Sequence, residues 1–155
     1  MLTEAEQKEI DEHIKVYPNK RAACIEALKI VQRNKRWISD ESLRDIATYL
    51  DMTVDELDNV ATFYSLIFRK PVGRHIILVC DSISCYIVGY PKFYEHLKKT
   101  LGISFGETTG DDRFTILPIP CLGTCDHAPA LMIDNDLHRD LIPPEKIDEI
   151  LKNYK

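Results

Sequence analysis

The sequence predicts an α/β protein: an N-terminal helical bundle over residues 1–70, then a small layered domain with a mixed sheet over residues 71–155. Three observations carry that prediction. Apolar residues recur at helical spacing to about Phe68, then give way to short apolar runs bounded by turn residues. Arg69-Lys70-Pro71-Val72-Gly73 breaks the pattern where the period changes, which marks a domain junction. Two cysteine pairs, Cys80/Cys85 and Cys121/Cys125, each follow directly on one of those apolar runs.

Within the helical part, Thr3 and Glu6 have capping-box spacing, and Ile10, Ile14 and Val16 give the first helix a thin apolar stripe. Tyr17-Pro18-Asn19 stops it, because proline disfavours helical geometry in the residue before it. A second helix is expected over residues 20–35, with Cys24, Leu28 and Val31 on one face and Ala27 and Ile30 beside it. There Cys24 reads as a small buried hydrophobe, not a redox thiol. Ser39 caps a third helix over residues 40–50, stapled by Ile38 and Leu43. Thr53 and Glu56 form a second capping box, with Met52 and Leu57 as its staple, opening a fourth helix to about Ser65. Trp37 is expected to anchor the packing between helices.

The third and fourth helices, joined by Asp51-Met52-Thr53, resemble a helix-turn-helix. Asp55, Glu56 and Asp58 crowd the start of the would-be reading helix, and no Lys or Arg follows until Arg69. Phosphates would be repelled there, and a net charge of −5 points the same way, so nucleic acid is excluded as a partner. Charged residues make up 29% of the chain and apolar ones 45%, which argues against disorder. Neither a secretory leader nor an apolar run long enough to span a bilayer is visible, which predicts an intracellular protein. In a reducing compartment, clustered cysteines point to metal binding or catalysis before structural disulfides.

In the second part, residues 74–79 form the first expected strand, and Cys80 to Cys85 a short polar loop after it. The two apolar runs before the cysteine pairs read as buried strands of a largely parallel sheet, with both loops at strand ends where such sheets place ligands. Gly89-Tyr90-Pro91 opens a helix that Gly102 ends, with Tyr94, Leu97 and Leu101 as its buried stripe. An acidic loop over residues 106–112 leads to a strand over residues 113–117, which Pro118 and Pro120 are expected to end. Residues 130–133 and Leu137-His138 suggest a hairpin around Asp134-Asn135-Asp136, and Pro143-Pro144-Glu145 starts a last helix. Strand–helix–strand–strand–strand–helix is the order of a thioredoxin-like layer.

Four thiols on two loops make a candidate metal site at Cys80, Cys85, Cys121 and Cys125. Zinc knuckles usually take the spacing Cys-x-x-Cys, though wider gaps are tolerated. Here four and three residues intervene, which suits the wider sulfur separation around an iron–sulfur rhomb. A plant-type ferredoxin would need a third cysteine where Val88 stands, and a Rieske centre a second histidine to match His127, which reads as an exposed loop residue. A thiol–disulfide oxidoreductase would need Cys-x-x-Cys. Iron–sulfur and zinc both remain open on spacing alone. Ser82, Ser84 and the Gly123 N–H are candidate donors to the sulfurs, while Asp81 and Asp126 would disfavour an added electron and predict a low reduction potential.

The pattern Cys80-x4-Cys85, a long gap, then Cys121-Leu122-Gly123-Thr124-Cys125 with Ala128-Pro129 after it resembles one family closely. That family is the thioredoxin-like [2Fe–2S] subunit of respiratory complex I, known as the E subunit in the bacterial NADH:quinone oxidoreductase; similar subunits occur in NAD-linked hydrogenases and formate dehydrogenases. The likeness extends upstream through Val60-Ala61-Thr62-Phe63-Tyr64-Ser65 and from Phe68-Arg69 to Gly73-Arg74-His75. It implies that the four cysteines bind one [2Fe–2S] cluster. It also implies that the chain is a subunit of a multi-subunit translocase, docked on a flavin-bearing partner that alone holds FMN and NADH. This chain lacks a Gly-x-Gly-x-x-Gly after a strand, in keeping with that division. The expected location is the cytoplasm, peripheral to the inner face of the cell membrane through the complex. The expected docking arm is the helical part, whose residues 60–68 carry three aromatics. A zinc-stabilised interaction module is the remaining alternative.

Overall fold

A computed structural model describes residues 1–155 and resolves two compact units, Met1–Pro71 and Val72–Lys155, each with its own core. In the first unit, helix α1 spans Glu4–Ile14 and opens on the expected capping box, Thr3 with Glu6. Ile10 is fully buried and Ile14 packs partly buried against the same core, but Val16 lies past the helix and is exposed. The expected second helix is split, a 3-10 turn at Lys20–Ala23 running into α2 at Cys24–Lys35. Asn19 caps the tight turn by accepting from the Ala22 N–H. Ala27, Leu28, Ile30 and Val31 form the buried face of α2, with Cys24 packed at its margin.

Helices α3 (Asp40–Tyr49) and α4 (Val54–Phe63) begin at Ser39 and at the Thr53/Glu56 box, as their caps predict. Both staples hold, with Ile38, Leu43 and Leu57 buried and Met52 packed beside them. Trp37 is only half-buried and lies outside this core; its neighbour Ile38 takes the interior place instead. Arg69 ties the unit together. Its guanidinium donates to the Ile38 carbonyl and pairs with Asp40 and Asp58, each at 2.8 Å.

The second unit is built on a four-stranded sheet of order β2-β1-β3-β4. Strand β1 (His75–Cys80) runs parallel to β2 (Phe114–Ile119) and antiparallel to β3 (Leu131–Ile133), which turns at Asp134-Asn135 into β4 (Asp136–His138). The sheet is thus mixed, with one parallel pairing of three, because only the β1–β2 connection is long enough for a crossover. Strand β2 continues through Pro118, contrary to expectation. The Ile116 N–H and C=O both face the loop before β2, bonding Glu107 and Gly106, so Pro118, two residues on, presents its missing N–H to the same outer edge.

Helices α5 (Ile83–Val88) and α6 (Tyr90–Leu101) fill the crossover, and α7 (Lys146–Leu151) closes the chain. In α6 the deepest residues are Phe93 and Leu97; Tyr94 is only partly buried, stacked on Phe105 with ring centres 4.2 Å apart. Phe93 carries the stripe because it sits one turn before Leu97 on the face turned to β1 and β2 residues such as Ile77 and Ile116.

Candidate metal centre

Parallel pairing of β1 and β2 decides where the thiols meet. Both strands leave the sheet at the same edge, and the register places Cys80 opposite Ile119, two residues before Cys121. The Asp81 N–H still bonds the Ile119 carbonyl at 3.2 Å, so both loops depart from a fixed frame. Cys85 is not on a loop as expected. It lies in α5, which begins after the extended Ser82, and is 1% exposed. That helix has no side-chain cap to announce it, and its four apolar residues besides cysteine point outward: Ile83, Tyr86, Ile87 and Val88 are all exposed.

The sulfurs fall into an inner and an outer pair. Cys80 and Cys85 are buried, whereas Cys121 and Cys125 are exposed with 3.9 Å between their Sγ atoms. Burial, followed by the neighbouring Cys80 thiol, pushes the Cys85 thiol up to about 11, against the pull of the Ala130 N–H on its sulfur. Cys125 is raised chiefly by Cys121, against a hydrogen bond from Ser84, with Cys80 contributing at longer range. Cys85 thus feels Cys80 and Cys125, and Cys125 feels Cys121 and Cys80. Two of these thiols resist ionising while metal-free, and a bound cation would reverse that resistance by replacing their protons.

Donors to sulfur come from the Cys121–Cys125 loop and from α5. The Gly123 N–H reaches Cys121 Sγ at 3.2 Å, and Ser84 serves Cys125, both as the sequence suggests. Ser82 makes no side-chain capping bond. The Ala130 N–H on Cys85 has no side-chain signal, and spacing could not have found it. Thr124, between Gly123 and Cys125, is 8% exposed and its Oγ1 is buried without a hydrogen-bond partner. No three His, Cys, Asp or Glu side chains are placed to hold a single metal ion.

His127 is exposed, with the Asp140 carboxylate 3.0 Å from its Nδ1. Asp126 is exposed beside it, and Asp81 is exposed near Tyr90, whose phenol is raised by burial and then by that charge. Soft sulfur ligands, amide and hydroxyl donors aimed at them and an orphaned buried hydroxyl beside them fit a thiolate-bound iron–sulfur group.

A family model described as thioredoxin-like [2Fe–2S] ferredoxin matches residues 10–155. Among relatives, the E subunit of the NADH-quinone oxidoreductase of Pseudomonas aeruginosa is 49% identical over 154 residues, covering 99% of this chain and 92% of that protein. Its counterpart in Escherichia coli strain K12 is also 49% identical with the same coverage, and that of Buchnera aphidicola from Acyrthosiphon pisum is 47% identical. Crystal structures of an NAD+-reducing [NiFe]-hydrogenase share the fold. In the air-oxidised state the TM-score is 0.68 at 24% identity over 87% of this chain, and in the H2-reduced state it is 0.70 at 23% over 82%. This chain spans 22% of the length of that hydrogenase chain. No helix is long and apolar enough to cross a membrane.

Proposed function

The chain belongs to the thioredoxin-like [2Fe–2S] ferredoxin family, and from that membership we propose that it is the electron-transfer E subunit of an NADH:quinone oxidoreductase. Cys80, Cys85, Cys121 and Cys125 are its proposed ligands for one [2Fe–2S] cluster. The observation that carries the reading is that both cysteine-bearing segments leave the sheet at one end, with the Cys121 and Cys125 sulfurs 3.9 Å apart, in a chain half-identical to these oxidoreductase subunits along nearly its whole length. When bound, such a cluster supplies a reversible one-electron centre. The protein's part is to fix four thiolates, shield the inner pair and offer N–H and O–H donors to their charge. Asp81 and Asp126 oppose added negative charge and keep the potential low.

FMN and NADH sit on a flavin-bearing partner in this reading, and residues 71–155 carry the electron centre. The segment 1–70 is the docking extension: Phe63, Tyr64 and Leu66 are exposed together, with Phe63 and Tyr64 edge-to-face at 5.3 Å. Such aromatic clusters are the anchors that protein interfaces bury. Placement is at the cytoplasmic face of the membrane through the assembled complex. Identity near one half to subunits of the quinone-linked enzyme, against less than a quarter to the hydrogenase structures, favours that enzyme over a hydrogenase.

The test is reduction by NADH of the purified chain alone and with the flavin-bearing subunit of the same organism. The visible spectrum should bleach only when both are present. Bleaching of the lone chain, or a colourless protein carrying stoichiometric zinc, would contradict the proposal.

A further inference from the structure

We propose that the Thr124 hydroxyl donates a hydrogen bond to sulfur of the loaded site and so eases its reduction. The inference rests on the cluster reading above. It begins from an exception: of the four buried polar side chains, Glu6, Ser42 and Thr115 are all hydrogen-bonded, and Thr124 alone is not. A buried hydroxyl without a partner bears its full desolvation penalty, so native proteins keep few of them and each calls for an explanation. Two other buried atoms lack a hydrogen bond, Asp45 Oδ2 and Arg113 Nε, but each faces an opposite charge, the N-terminal amine at 2.8 Å and Asp111 at 3.7 Å.

Local backbone bonding leaves the hydroxyl unused, since at φ −120° and ψ 49° Thr124 lies outside the extended region from which a side chain caps. Thr124 precedes the 3-10 turn Cys125–His127, a position from which threonine usually caps. Thr3 and Thr53 do so elsewhere in this chain. Thr124 makes no capping bond, although its carbonyl accepts from the His127 N–H at 3.0 Å. The hydroxyl is buried and bonds no backbone group, on the residue that lies between Gly123 and Cys125 in sequence.

Cys121 and Cys125, chain neighbours of Thr124, bring sulfur to this loop, although no cysteine sulfur accepts from its hydroxyl in this structure. A four-thiolate iron–sulfur group is an anion rich in weak acceptors, and hydrogen bonds to its sulfurs are among the levers that set its potential. Cys121, Cys125 and Cys85 already receive the Gly123 N–H, the Ser84 hydroxyl and the Ala130 N–H. Thr124 adds a further donor from the same loop. Each such donor stabilises the reduced, more negative state more than the oxidised one, partly offsetting Asp81 and Asp126.

Two substitutions separate the hydroxyl from the shape around it. Thr124→Val keeps the branched outline without the donor, and Thr124→Ser keeps the donor without the methyl. On anaerobically reconstituted protein, the reduction equilibrium at fixed potential should fall on the order of tenfold in Thr124→Val, a midpoint shift of about 59 mV for one electron. Thr124→Ser should stay with the wild type. Metal-free Thr124→Val should melt no lower than metal-free wild type, since it removes an unpaired hydroxyl. Pulsed magnetic resonance after exchange into deuterated water should count one exchangeable site fewer near the iron in Thr124→Val.

An unchanged midpoint in Thr124→Val overturns the proposal, as does a Thr124→Ser midpoint that moves with it. If Thr124→Val takes up no iron, Thr124→Ala serves in its place; failure of both to load assigns the residue to loop packing and overturns it too. Absence of iron from the wild type defeats the cluster reading itself, which the variant comparison among iron-loaded proteins does not touch.

Discussion

Replacing Gly123 isolates the backbone's share in holding the outer cysteines. Gly123 has φ +72°, in the left-handed region, and a Cβ added there meets no atom within 4 Å. Space is free, so the whole cost of a side chain is torsional. For alanine that is about 1–2 kcal/mol, for asparagine less because it tolerates this region, and for a β-branched residue more. The loop can escape the strain only by turning the residue-123 N–H away from Cys121 Sγ, which it reaches at 3.2 Å. Keeping the donor thus keeps the strain, and relieving the strain costs the sulfur its donor. Retention of iron against a chelator should therefore weaken by a factor of about 5–30 in Gly123→Ala, since about 1.4 kcal/mol is tenfold. Gly123→Asn should weaken less and Gly123→Val more. Equal retention in the asparagine and valine variants would refute the torsional argument.

Glu6 offers a pH test in the first unit. Burial pushes its carboxyl up, but the Thr3 N–H, the Asn34 amide and the Thr3 hydroxyl outweigh that and hold it below its ordinary value of 4.5. A depressed folded pKa means its stabilisation is present above that value and lost as pH falls through the folded one; Glu6→Gln should flatten the acid limb of the stability curve, and an unchanged limb would contradict this. Arg69→Ala should destabilise by about 2 kcal/mol, summing two partly exposed ion pairs and an orphaned Ile38 carbonyl, as read by urea unfolding. Phe93→Ala should cost about 3–5 kcal/mol, while Tyr94→Phe, which loses only the bond from the Phe105 N–H, should cost about 1; the reverse ranking would move the core of α6.

Local chemistry made much of this chain legible. The boxes at Thr3/Glu6 and Thr53/Glu56 and the Ser39 cap act within one helical turn, so their spacing alone placed three helix starts. The cysteine pairs were legible because each follows its strand directly, and parallel pairing, suggested by the intervening helical stretch, brings them to one edge. What depended on distant partners was hidden. Pro118 stays in β2 because that strand lies at an edge, a property of the sheet and not of the segment. Phe93 outranks Tyr94 by its position over β1 and β2. Helix α5 buries a single cysteine and turns its apolar residues outward, an inversion no periodicity rule anticipates. The Thr124 orphan emerges only when every other buried hydroxyl has been matched to a partner.

Iron and acid-labile sulfide analysis, paired with low-temperature electron paramagnetic resonance of the dithionite-reduced protein, bears most directly on the central claim. Two irons, two sulfides and one unpaired spin per wild-type chain are predicted, with the signal lost or strongly altered in Cys121→Ser. An iron-free wild type after anaerobic reconstitution, or an identical signal in Cys121→Ser, would contradict it.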